Sequence, residues 1–102
     1  MAGNFRTHDE DGAFDTMTLD EYLVENREAT FMMRARGEGL SDRGILDGDL
    51  LLVDRSREPR PSDIVVVVEN GSFSMKPASS IAASLDGETR VEAVVTAVIR
   101  KY

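Results

Sequence analysis

The chain has 102 residues, of which 41% are hydrophobic and 30% charged, with a formal net charge of −7 and no cysteine. That length suits one small domain, and the balance of apolar and charged residues suits a globular one rather than a disordered tail. Disulfides and thiolate metal sites are excluded, an acidic surface repels nucleic-acid phosphate, and no apolar run approaches the roughly 18 residues of a membrane span.

Residues 1–17 form an acidic lead with only Phe5, Ala13 and Phe14 as strong apolar anchors, read as a flexible N-terminal arm. His8, the single histidine, lies among Thr7, Asp9, Glu10 and Asp11 and reads as a solvated side chain, not a metal ligand. Thr18-Leu19-Asp20-Glu21 fits a capping box, in which the threonine hydroxyl and the glutamate carboxylate bond each other's backbone N–H. A short helix to about Asn26 follows, with Leu19, Tyr22 and Leu23 on one face.

From Ala29 the pattern becomes extended, with Phe31, Met33 and Ala35 on one side of a first strand. Phe31, Met32 and Met33 are assigned to core packing in preference to a binding surface. Residues 35–49 set glycines and acids between two apolar segments and end in Asp47-Gly48-Asp49, a turn signal. The carboxylates Asp42, Asp47, Asp49 and Asp54 lack the alternate-ligand spacing and closing glutamate of a calcium loop, so turn chemistry is expected. No metal or cofactor is called for. Residues 50–54 are almost wholly apolar and predict an interior strand.

Pro59 and Pro61 make residues 55–62 a loop. Residues 63–69 give the strongest strand pattern, Asn70-Gly71 is a favoured hairpin turn, and residues 72–76 return as its partner. Alternation sets Phe73 and Met75 on one face and Ser72, Ser74 and Lys76 on the other. A smaller hairpin is predicted from residues 81–85 and 88–91 about Asp86-Gly87, then a β-branched strand from Val91 to the end. Strands joined by short turns, with one helix near the start, make the fold mostly β.

The stretch Gly37-Glu38-Gly39-Leu40 leading to Gly48-Asp49 and a strand resembles the nucleophile box of the LexA/UmuD family of self-cleaving serine peptidases. In that family the box reads roughly Gly-Asp-Ser-Met and closes on Gly-Asp. Gly37 matches the first glycine, Glu38 the acid and Leu40 the methionine, so the serine position falls on Gly39. Asp63-Ile64-Val65 followed by Gly71-Ser72-Phe73-Ser74-Met75-Lys76 is similar to the segment that carries the family's general-base lysine, which would be Lys76. Residues 93–99 resemble the family's last strand, with Ala93 where a glycine is usual, and residues 77–90 are shorter than in typical UmuD proteins. The resemblance implies a LexA/UmuD-like (β-clip, signal-peptidase-like) compact β domain over residues 18–102. Ala2-Gly3 resembles the Ala-Gly or Cys-Gly bond that such proteins cut, which would make the chain look like a product, although chance gives the same dipeptide.

A serine hydroxyl attacks only when a base takes its proton, and a lysine is such a base when burial disfavours its charge. Gly39 offers no hydroxyl, so cleavage by the family route is expected to be absent. Ser41 is a poor substitute, because a shift of two residues moves a hydroxyl several ångströms from a base that must approach to about 3 Å. For Lys76 two readings stand: a retained, partly buried base position, or a solvated lysine balancing nearby acids. The resemblance is nearest to processed UmuD. It implies a catalytically inactive, cytoplasmic homodimer serving as accessory subunit of a Y-family translesion polymerase (the UmuC type) in the SOS response, with the RecA filament as a further partner and no direct contact with DNA or membrane. The alternatives are a self-cleaving peptidase using Ser41 with Lys76, and a regulatory decoy of LexA/UmuD-type proteins.

Overall fold

A computed structural model describes residues 15–81 and 89–102. Five antiparallel strands form one sheet: β1 (Thr30–Arg34), β2 (Leu50–Asp54), β3 (Ile64–Glu69), β4 (Ser72–Pro77) and β5 (Thr89–Ile99), in the order β1-β2-β5-β3-β4. A mostly-β compact domain with little helix is therefore what the chain forms. The arm's first 14 residues, with His8 and Ala2-Gly3, and the Asp86-Gly87 turn of the smaller hairpin lie outside the described residues.

Apolar composition and position agree. Leu51, Leu52 and Val53 of β2 and Val65, Val66 and Val67 of β3 are buried, and both strands lie inside the sheet, as a continuous apolar run requires. β3 and β4 are joined by Asn70-Gly71, whose φ values of 52° and 81° are those of the primed turn that suits a twisted hairpin. The edges fall to β1 and β4, and Pro77 ends the latter where a missing N–H does no harm.

β5 is the axis. It pairs with β2 and β3 on its two sides, and both ladders slip, between Leu52 and Val53 and between Val66 and Val67. The residues left over on β5 are Thr96, whose Oγ1 donates to the Leu52 carbonyl at 3.3 Å, and Glu92. Such bulges bend a sheet. Bending brings Phe31 of one edge and Phe73 of the other to a shared hollow of about 340 Å³, floored by Val53, Val66 and Ala93.

Core side chains lie on both faces. Ala35, Ile45, Leu51, Val53, Val66 and Ala93 pack on one, with Met33, Leu40 and Met75 against them. Val65, Val67, Val94 and Ile81 pack on the other.

Two expectations are corrected. The helix α1 runs only from Leu19 to Leu23, although its capping box is formed with bonds of 2.9 and 3.0 Å. Its apolar stripe does not reach the core: Leu19 and Tyr22 are 74% and 73% exposed, and a helix without packing has little reason to extend. Phe31 and Met32 are 48% and 59% exposed, so they are not core residues; β1 is an edge strand and the hollow under Phe31 is open.

Candidate functional site

Residues 35–49 form a closed loop with a bonded neck. Ala35 N–H donates to Asp49 O at 2.8 Å and Gly48 N–H to Ala35 O at 2.8 Å, so β1 and β2 continue to pair where the loop departs. The carboxylates of the Asp-Gly-Asp turn are committed to this neck. Asp47 Oδ1 accepts from Gly37 N–H at 2.7 Å, and Asp49 Oδ2 accepts from Leu46 N–H at 2.7 Å. Asp54 accepts from the Ser56 N–H and hydroxyl at 2.8 and 2.6 Å, which hold its carboxyl below the ordinary range against the opposing effect of burial. Inside the loop a tight turn over Ser41–Arg43 sets Ile45 into the core and Leu40 against it.

The loop's anchor is an ion pair that the sequence reading did not anticipate. Arg100, just beyond β5, donates from Nε and Nη2 to the two Asp49 oxygens, each at 2.7 Å, and from Nη2 to Gly44 O at 3.1 Å. Asp49 is 3% exposed. The Arg100 bond, helped by Leu46 N–H, brings its carboxyl down from 3.8 to about 2, although burial acts the other way. Fifty-one residues separate the partners, so no local pattern announces them. The one available signal is an arginine directly after an apolar strand.

The loop forms one wall of a cleft of about 420 Å³. The opposite wall is β4, through Phe73, Ser74 and Met75, and Leu51 and Val66 lie between. Gly39 lines this cleft. A side chain could stand there: nothing lies within 4 Å of an ideal Cβ on Gly39, and its φ lies outside the left-handed region. Ser41 is exposed at the start of the turn and does not line the cleft.

Lys76 is on the other face of β4. Met75 packs with Val66 on the cleft side, whereas Lys76 is paired with Val65, which belongs to the opposite core cluster. Its Nζ donates to Glu69 Oε2 at 2.7 Å, with the two side chains 39% and 31% exposed. Lys76 is absent from the cleft lining. The structure thus gathers Gly39 and Met75 at the cleft and sets the Lys76 amine on Glu69; Ser74 borders the cleft, but the register gives its side chain the Lys76 face. Ser74 Oγ is buried without a hydrogen-bond partner.

A Peptidase S24-like family model matches residues 1–93. The chain belongs to this family. Among curated S24 relatives, Protein ImpA of Salmonella typhimurium is 39% identical over 66 residues, 65% of this chain and 46% of that protein. Protein SamA of Salmonella typhimurium strain LT2 is 34% identical over 62 residues, 61% of this chain and 44% of that protein. The LexA repressor of Clostridium kluyveri is 38% identical over 62 residues, 61% of this chain and 31% of the repressor. The alignments span less than half the length of these relatives. The five-stranded antiparallel sheet accords with S24 membership, and no helix among the described residues is long and apolar enough to cross a membrane.

Proposed function

We propose that this S24 member is a non-cleaving, UmuD-like protein of the DNA-damage (SOS) response, working as a cytoplasmic homodimer and accessory subunit of a Y-family translesion polymerase. One observation carries the reading: Gly39, which takes the nucleophile position in the box alignment, lines the cleft and has no side chain to attack with. Similarity to ImpA and SamA supports the UmuD-like half of the reading. The docking half rests on the shape that remains. Phe31 and Phe73, 48% and 65% exposed about a shared hollow, offer apolar contact area to a protein partner. A net charge of −7 disfavours phosphate and leaves DNA to the polymerase.

Two measurements test this. The purified protein, held at alkaline pH where neutral lysine is favoured, keeps its intact mass; a specific fragment that disappears in Lys76→Ala would reinstate a peptidase, with Ser41 as its nucleophile. Co-expressed with a Y-family polymerase, the protein is retained on it as a dimer, and Phe73→Ser weakens retention. Retention instead on a LexA-type repressor, with none on the polymerase, would favour the decoy.

A further inference from the structure

We infer that Glu69 is a second restraint on this site, separate from the lost hydroxyl: it engages the Lys76 amine and keeps it off the cleft. The inference rests on the reading of positions 39 and 76 given above, and it adds a residue that the family box does not include. Its basis is the hairpin register. Glu69 is opposite Ser72 and Val65 is opposite Lys76, so Glu69, Ser72, Ser74 and Lys76 share one face of the β3–β4 hairpin. For Nζ to reach Glu69 at 2.7 Å, the lysine stem must run back along β4 past Ser74 toward the turn. That path leads away from Met75 and the cleft. Ser74 lies between Ser72 and Lys76 on that face, and its Oγ is buried without a hydrogen-bond partner, so it offers the amine no rival acceptor bond.

Glu69 is itself held. Thr89 Oγ1, opposite it on β5, lies 3.5 Å from the same Oε2. A carboxylate between a threonine and an ammonium is steered toward the lysine, and the neighbouring Arg90, opposite Val68 on the other face, pairs with Glu92 instead. A general base needs its nitrogen lone pair free and within about 3 Å of the hydroxyl it serves. An amine that donates to a carboxylate on the far face meets neither condition. Restoring a serine at position 39 alone therefore leaves the site inactive.

The test separates the restraint from the reading beneath it. Amine freedom is read first, on the full chain, as the acylation rate of Lys76 by acetic anhydride, followed peptide by peptide by mass spectrometry. Glu69→Gln raises that rate roughly two- to five-fold, the range appropriate to a pair that is partly exposed. Glu69→Asp restores part of the protection, and Thr89→Val, which removes only the longer 3.5 Å contact and keeps the pair, raises the rate less than Glu69→Gln does. An unchanged rate in Glu69→Gln, with the urea midpoint preserved, overturns the restraint whatever positions 39 and 76 do in the family. Hydroxyl activation is read second, as labelling of a serine at position 39 by a fluorophosphonate. Gly39→Ser alone labels slowly, Gly39→Ser with Glu69→Gln labels faster, and adding Lys76→Ala abolishes the gain. Fast, Lys76-dependent labelling in Gly39→Ser alone would refute the restraint and keep the dyad assignment. Labelling independent of Lys76 throughout would remove the assignment, and the inference with it, even where the acylation result holds.

Discussion

Two glycines two residues apart in the box should respond to a methyl group in opposite directions. At Gly39 an ideal Cβ meets nothing within 4 Å and φ lies outside the left-handed region, so alanine fits the native backbone as it stands. The substitution then acts mainly on the unfolded chain, which loses conformational freedom, and stabilises by about 0.4–1 kcal/mol. Gly37 also has open space around it, but its φ is 88°, where an L-residue is strained. A left-handed conformation costs about 1–2 kcal/mol, which outweighs the same entropic gain and leaves a net loss on the order of 1 kcal/mol. In urea, with a slope near 1 kcal/mol/M for a domain of this size, the midpoint rises by about 0.4–1 M for Gly39→Ala and falls by about 1 M for Gly37→Ala. The slope should be unchanged in both. A lowered midpoint for Gly39→Ala would mean that the fold requires glycine there. The absence of a hydroxyl would then be a backbone necessity, and the argument from a missing nucleophile would lose its force.

Acid should weaken the loop anchor in a defined window. Because Arg100 and Leu46 N–H depress the Asp49 carboxyl from 3.8 to about 2, its contribution is complete above pH 4 and is lost as pH falls through 2; thermal melts between pH 5 and 2 show the decline, and Asp49→Asn flattens it while lowering stability at neutral pH. Leu51, 1% exposed between β1 and β5, should cost about 2–5 kcal/mol as alanine, read from urea unfolding. Thr18→Ala should remove a cap worth about 0.5–2 kcal/mol to α1 alone, so amide exchange over residues 19–23 accelerates by about 2- to 30-fold with no change in the urea midpoint. A shifted midpoint would mean that α1 supports the sheet after all.

The elements most legible in the sequence are those whose signal is local. The valine run of β3, the Asn70-Gly71 turn and the alternation along β4 each arise within a few residues, and the hairpin forms with the faces that alternation assigns. The capping box of α1 is equally local and equally legible; where the helix stops is not, because that depends on whether Leu19 and Tyr22 find something to cover. Phe31 fails for the same reason. Period-two spacing tells which side of β1 it occupies, but only the curl of the sheet decides whether that side is covered. That curl comes from slips at Thr96 and Glu92, which leave no mark in a continuous β-branched run. At the site, the glycine- and acid-rich loop of residues 35–49 and the strand that carries Lys76 are readable as sequence. The Asp49–Arg100 pair spans 51 positions and is invisible to any local pattern, whereas Glu69 and Lys76, placed on one face by the hairpin register, were within reach of the alternation argument.

The loop is kept in shape by groups that have nothing to do with a nucleophile. Its neck is closed by backbone pairing at Ala35, by Asp47 on Gly37 N–H and by Asp49 on Leu46 N–H, and it is tied to the end of β5 through Arg100. None of these bonds involves residue 39, so the wall of the cleft stands without a side chain there. The same independence holds across the gap, where Phe73 and Met75 line the cleft from one face of β4 while Lys76 is engaged on the other. Scaffold and chemistry are therefore separable in this chain. A surface for docking needs only the scaffold, which is why an unpaired Asp49, and not an empty position 39, is the change expected to destroy it.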